Sequence, residues 1–194
     1  MLSTPLSSLL WLAVILSLIA FFSTLLPFFT GAHWVPTPAS TVRRMLRLAN
    51  VQPGETVYDL GSGDGRVLII AAREFGARAV GVEIDPLKYL WTRAMIALLG
   101  LGDRVTVRRA NFFDVALGEA DVITLYLLPK ANARLLPKFE RELRPGARVA
   151  AHAFFLPEWP VMAEEKNVRV YRLPTFDNSP RRHQDSKVHQ VSSS

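Results

Sequence analysis

The sequence predicts an α/β fold with a mostly parallel sheet covered by helices on both faces, and three observations predict it. Short apolar runs alternate with helix-length segments from Thr56 to Phe154, the pattern of a sheet whose strands are joined by crossover helices. The first apolar run ends in an acid, Asp59, and passes into Gly61-Ser62-Gly63-Asp64-Gly65, with three glycines at alternate positions. A second acid, Glu83, closes the next run 22 residues after Gly61.

The elements follow in order. From Leu2 to Thr41 there is no Asp, Glu, Lys or Arg, and Leu6 to Phe29 is almost wholly apolar. As a helix those residues span roughly 36 Å, against a bilayer core of about 30 Å. A cleaved signal peptide would want a basic residue before a shorter apolar run, and none is present. The expectation is therefore a single transmembrane helix in residues 1–30. Arg43, Arg44 and Arg47 follow it and place the rest of the chain on the cytoplasmic side. Residues 31–55 form a proline-stiffened connector and a short helix, capped at Ser40 or Thr41 and reaching Asn50. Its Val42, Met45, Leu46 and Ala49 share one face, suited to a lid, a membrane-surface helix or plain packing on the domain.

Pro53-Gly54 turns into a first strand over Thr56 to Leu60, and a helix runs from Asp64 to Phe75, stopped by Gly76. The second strand ends at Glu83. Asp85-Pro86 starts a helix that ends at Leu99 before Gly100. Val105 to Ala110 is the third strand, Ala120 to Leu127 the fourth, Asn132 to Leu143 a helix, and Ala147 to Phe154 the fifth strand. Val161 to Ala163 and Val168 to Leu173 remain for a closing hairpin at one edge. Residues 175–194 are polar and read as a disordered tail.

Composition narrows the chemistry. The chain has no cysteine, and its four histidines show no metal-ligand spacing, so no metal site is expected. The net charge of +6 is mixed with acids and lacks aromatic-basic interleaving, which argues against nucleic acid and fits a basic face held against anionic lipid.

In an open parallel sheet, ligands lie beyond the carboxyl ends of the strands. Asp59 stands there and suits an ammonium group. Gly61, Ser62, Gly63 and Gly65 form a floor, with amides expected to face the ligand. Glu83 suits the two hydroxyls of a ribose. The glycine spacing is not the G-x-G-x-x-G of a dinucleotide site, and no G-x-x-x-x-G-K-[ST] loop occurs. A nucleoside without a pyrophosphate fits best, and S-adenosylmethionine is the expected cofactor. Asn111 or Asp114 suits the adenine amino group, with Phe112 packing on the ring. Tyr126, at the end of the fourth strand, is placed to line the channel of the methyl acceptor and to orient its nitrogen. His152 reads as a structural histidine.

Several segments together resemble one family. They are Val35-Pro36-Thr37-Pro38, the helix with Met45-Leu46, Val57 to Arg66, Gly76 to Pro86, and Thr124-Leu125-Tyr126-Leu127-Leu128-Pro129. This set is similar to the family of the mitochondrial ATP synthase c-subunit lysine N-methyltransferase and its prokaryotic relatives, from about Gly31 to Leu173. The resemblance implies a seven-stranded class I methyltransferase (Rossmann-like) domain over 56–174, S-adenosyl-L-methionine as donor, and methylation of protein lysines. The short region after the fifth strand and the polar tail depart from the family. With the expected anchor, the substrate would be a membrane-associated protein. The alternatives are a lipid or small-molecule methyltransferase at the membrane surface, or a non-catalytic cofactor-binding scaffold.

Overall fold

The computed structural model describes the backbone of residues 5–30, 36–156 and 159–173, and the side chains of all of these except 5, 6, 20 and 22–30. Seven strands form one sheet: β1 (Thr56–Leu60), β2 (Arg78–Glu83), β3 (Val105–Arg109), β4 (Val122–Leu125), β5 (Arg148–His152), β6 (Val161–Glu165) and β7 (Val168–Arg172). Among the described residues five helices accompany them: α1 (Pro5–Thr30), α2 (Ala39–Leu48), α3 (Arg66–Glu74), α4 (Pro86–Leu98) and α5 (Pro129–Glu142).

The strand order is β3-β2-β1-β4-β5-β7-β6. β1 to β5 run parallel, and β7 is antiparallel to both β5 and β6. The order reverses between β1 and β4, so the crevice of an open α/β sheet opens at Asp59, whose register partners are Gly81 on β2 and Thr124 on β4. The central strands β1, β4 and β5 are buried on both sides because both sides are covered. Tyr58, Leu60, Ile123, Leu125, Val149 and Ala151 join Leu135 and Phe139 of α5 in one core. Val57, Ala79, Val107, Val122 and Ala150 join residues of α2, α3 and α4 in the other. Successive side chains of a strand thus feed opposite layers.

Local chemistry sets the element ends. Asp85 caps α4 by accepting from the Leu87 and Lys88 amides at 2.9 and 3.3 Å, with Pro86 at the first helical position. Gly65 takes a left-handed φ of 78°, so α3 starts at Arg66 and not at Asp64. β4 is shorter than expected, because α5 begins at Pro129 and draws the chain out of the sheet after Leu125. β5 stops at His152, where Ala153 turns to φ 60°.

The apolar stripe of α2 packs on the domain: Val42, Met45, Leu46 and Ala49 are all buried. Its arginines tie the rim, Arg43 to Glu74 and both Arg44 and Arg47 to Glu165. Buried Arg148 donates to the Ala49 and Asn50 carbonyls at the end of α2 and pairs with Glu55.

One expectation is overturned. Among the described residues, no helix is long and apolar enough to cross a membrane. The N-terminal transmembrane helix, the single-pass topology and the placement of the domain at the cytoplasmic side of a membrane are corrected accordingly. The expected connector at 31–35 and the polar tail at 175–194 lie outside the described residues.

Candidate active site

The glycine turn is held by its own backbone. The amides of Gly61 and Ser62 both donate to the Val82 carbonyl, at 2.9 and 3.0 Å, and the Gly65 amide donates to the Ser62 carbonyl at 2.9 Å. The Gly63 amide donates to Glu83 Oε2 at 2.8 Å. These amides are taken up inside the turn and do not face outward as the sequence suggested. What the turn offers is a surface without side chains. A Cβ on Gly61 would come within 3.3 Å of Leu127 Cδ2, and one on Gly65 within 2.5 Å of Thr92 Cγ2. Thr92 Oγ1 in turn donates to the Gly63 carbonyl at 3.1 Å, so α4 braces the turn from behind.

Glu83 is buried, not a solvated loop acid. Its Oε1 accepts from the Asp85 amide at 2.9 Å, as Oε2 does from Gly63. Each oxygen keeps a second lone pair, so the carboxylate is locked in place with capacity for a vicinal diol. Burial raises its pKa, against the two backbone donors and Lys88, which pull it down. Asp59 is also buried, and accepts from Thr124 Oγ1 at 2.7 Å. Burial pushes the Asp59 carboxyl up to about 7; the Thr124 hydrogen bond opposes this, and the charges of Glu83 and Asp64 add to it. A cluster of acids that hold one another's charge back is relieved by a cation. Ser62 is buried with Oγ unpartnered, and a Cβ on Gly81 would come within 2.7 Å of that oxygen. Diol acceptor, side-chain-free floor and acidic cluster fit S-adenosylmethionine, which carries a ribose, an ammonium and a sulfonium.

The adenine end is less open. Asn111 Oδ1 accepts from the Phe113 amide at 3.1 Å, and Asp114 is exposed. Phe112 is buried in the core that also holds Val82 and Leu127. Its ring lies 4.6 Å from that of Phe113, which carries the Arg134 guanidinium at 4.0 Å.

Tyr126 follows β4 directly and enters an aromatic group. Its ring centroid lies 4.2 Å from His152 and 6.1 Å from Phe154, with the latter pair stacked. His152 Nε2 accepts from Asn167 Nδ2 at 2.8 Å, which leaves the proton of the neutral ring on the unpartnered Nδ1. Burial, with Arg44 nearby, lowers the His152 pKa and keeps the ring neutral. Asn132, completely buried, donates through Nδ2 to the Phe154 carbonyl at 2.8 Å. The structure therefore joins Asp59, Gly61, Ser62, Gly63, Gly65 and Glu83 around the β1 and β2 ends, and Tyr126 with His152 and Phe154 around the β4 and β5 ends. His152, Phe154, Asn132 and Asn167 were not picked out as site residues by the sequence. Their common signal was only that two lie at the end of the fifth strand. Among the described residues no cluster of His, Asp and Glu could hold a metal ion.

Comparison with known proteins places the chain among methyltransferases. Residues 59–163, more than half of the chain, match the ANTKMT methyltransferase domain family. A protein-lysine N-methyltransferase of Saccharolobus islandicus is 46% identical over 127 residues, covering 65% of this chain and 79% of that protein. The adenine nucleotide translocase lysine N-methyltransferase of Mus musculus is 34% identical over 150 residues, covering 76% of this chain and 65% of that protein. Among solved structures, an RNA methyltransferase from Salinibacter ruber in complex with S-adenosyl-L-homocysteine is 42% identical. It superposes with a TM-score of 0.69 over 73% of this chain and 95% of that one.

Proposed function

The chain belongs to the ANTKMT methyltransferase domain family, a family of S-adenosylmethionine-dependent protein-lysine methyltransferases, and from that premise we propose that it methylates the ε-amine of lysine in a polypeptide substrate. The observation that carries this reading is the aromatic group of Tyr126, His152 and Phe154 beside the cofactor cradle, on the same edge of the sheet. When bound, the cofactor supplies an electrophilic methyl whose bond to sulfur breaks, leaving its electron pair on sulfur, as the bond to nitrogen forms.

The residues of the chain prepare that event. Glu83 would hold the ribose, and Asp59, with Thr124 at its back, would pair with the ammonium and keep its own proton off. Gly61, Gly63 and Gly65 let the backbone lie against the ligand. Tyr126 and Phe154 exclude water from the acceptor. A lysine ammonium must shed a proton to solvent first, which costs roughly 4.6 kcal/mol at pH 7. An apolar aromatic wall lowers that cost by disfavouring the charged form. Asn167 occupies His152 Nε2, so the ring offers the amine no free acceptor; with the proton already lost to solvent, the remaining task is positioning.

A second reading has one observation in its favour, the 42% identity to the Salinibacter ruber RNA methyltransferase. One experiment separates the two. A whole-cell extract is incubated with the protein and radiolabelled cofactor, with and without ribonuclease. Label in protein that resists ribonuclease and maps by mass spectrometry to lysine supports the lysine reading. Label confined to RNA, lipid or small metabolites refutes it.

A further inference from the structure

We infer that the carboxamide oxygen of Asn132 is the group that holds the acceptor amine, an inference that rests on the lysine reading above. Asn132 stands in the first turn of α5, immediately beyond the end of β4, where Leu128 and Pro129 lead the chain out of the sheet. It is completely buried. The two ends of its amide are treated differently: Nδ2 donates to the Phe154 carbonyl at 2.8 Å, while Oδ1 is buried without a partner. An unpaired buried acceptor is costly, and a leucine, as at buried Leu135 on the same face one turn later, would avoid it. The missing donor is one that a ligand brings.

The surroundings say which donor. The residue that Asn132 grips, Phe154, stacks on Tyr126, and Tyr126 packs on His152. Asn132 is thus tied into the wall of the acceptor channel. A neutral amine has two N–H groups and one lone pair, and the lone pair must face the methyl carbon. One N–H bond to a fixed acceptor stops rotation about the Cε–N bond and sets that direction. An amide oxygen does so without charge, whereas a carboxylate would favour the unreactive ammonium. His152 cannot fill the role. With Asn167 donating to its Nε2, the free ring nitrogen carries a proton and is a donor itself.

Two variants test the inference. Asn132→Leu removes both ends of the amide, while Asn132→Asp removes the donor to Phe154 and keeps an acceptor oxygen. The probe is a synthetic peptide carrying the lysine mapped in the extract labelling, and the second readout is binding of S-adenosylhomocysteine by calorimetry. Asn132→Leu is expected to lower kcat about 10- to 100-fold with nucleoside affinity within twofold of wild type. Asn132→Asp keeps an acceptor whose charge also favours the ammonium, so it is expected to recover part of that loss and to move the pH dependence of kcat upward. If the leucine variant fails to bind nucleoside, Asn132→Ala takes its place in the same comparison. Equal losses in both variants would show that Asn132 serves only to hold Phe154 and would overturn the inference, as would a leucine variant with wild-type rate. A wild-type protein that methylates no lysine overturns the lysine reading and this inference with it. A wild type that does, beside an unaffected leucine variant, removes this inference alone.

Discussion

Thr124 donates its hydroxyl to Asp59 at 2.7 Å, across the place among the parallel strands where strand order reverses. The bond joins β1 to β4 and is the one side-chain partner given to a carboxyl group that burial has pushed up to about 7. Burial therefore favours the protonated carboxyl at Asp59, and a cation beside it would favour the charged form.

The sign of the pH effect follows. The folded pKa of Asp59 lies above its unfolded value near 4, so between about pH 4 and 7 the folded protein binds more protons than the unfolded chain. The Asp59 contribution favours the fold fully below pH 4 and is lost as pH rises through about 7. Asn cannot titrate and can still accept from Thr124. Chemical denaturation from pH 4 to 8 should show Asp59→Asn gaining stability over wild type as pH rises, by up to roughly 4 kcal/mol. For nucleoside binding the direction reverses: wild type should bind S-adenosylhomocysteine more weakly at pH 5 than at pH 8, and Asp59→Asn should show a smaller change, with Glu83, whose pKa burial also raises, supplying the remainder.

Gly65→Ala tests the brace behind the cradle. The new Cβ meets Thr92 Cγ2 at 2.5 Å, and the backbone is at φ 78°, where alanine is strained. Pushing Thr92 aside breaks its bond to the Gly63 carbonyl, which neighbours the Gly63 amide that holds Glu83. Thermal unfolding should show a loss of about 1–3 kcal/mol, with weaker nucleoside binding measured on the protein that remains folded.

Arg148→Ala tests how α2 is fastened. The side chain reaches from β5 to the Ala49 and Asn50 carbonyls and to Glu55, so its removal strands three acceptors in a part-buried place. Urea denaturation should show a loss of about 2–4 kcal/mol.

Tyr126 is tested by a pair of variants. Tyr126→Ala opens the wall that it shares with His152 and Phe154, and kcat for the peptide should fall more than about tenfold with nucleoside affinity preserved. Tyr126→Phe keeps the ring and should retain most of the rate.

The difference between the two halves of the site explains what the sequence could tell. Asp59, the glycines and Glu83 lie within 25 residues of one another, and the turn that joins them has a recognisable backbone requirement at Gly61 and Gly65. The alternation of strands and helices was equally plain, because burial on both faces leaves short, mostly apolar runs at Val57 to Leu60 and Val122 to Leu125. The acceptor side was legible only at Tyr126. Asn132, His152, Phe154 and Asn167 join it only through β4–β5 pairing, the start of α5 and the turn between β6 and β7. The φ of 60° at Ala153, which ends β5 beside Phe154, has no sequence signature, since alanine does not favour it. The N-terminal segment misled for the opposite reason. Its composition alone suggested a membrane span, and the described residues contain no helix that meets the requirement.

The cradle itself is tested most directly by titrating S-adenosylhomocysteine into the wild-type protein and into Glu83→Ala in a calorimeter. With Glu83 fixed by the Gly63 and Asp85 amides and aimed at the ribose, wild type should bind one equivalent, and Glu83→Ala should bind roughly 10- to 100-fold more weakly while remaining folded. No heat of binding in folded wild-type protein, or equal affinity in the two, would contradict the account.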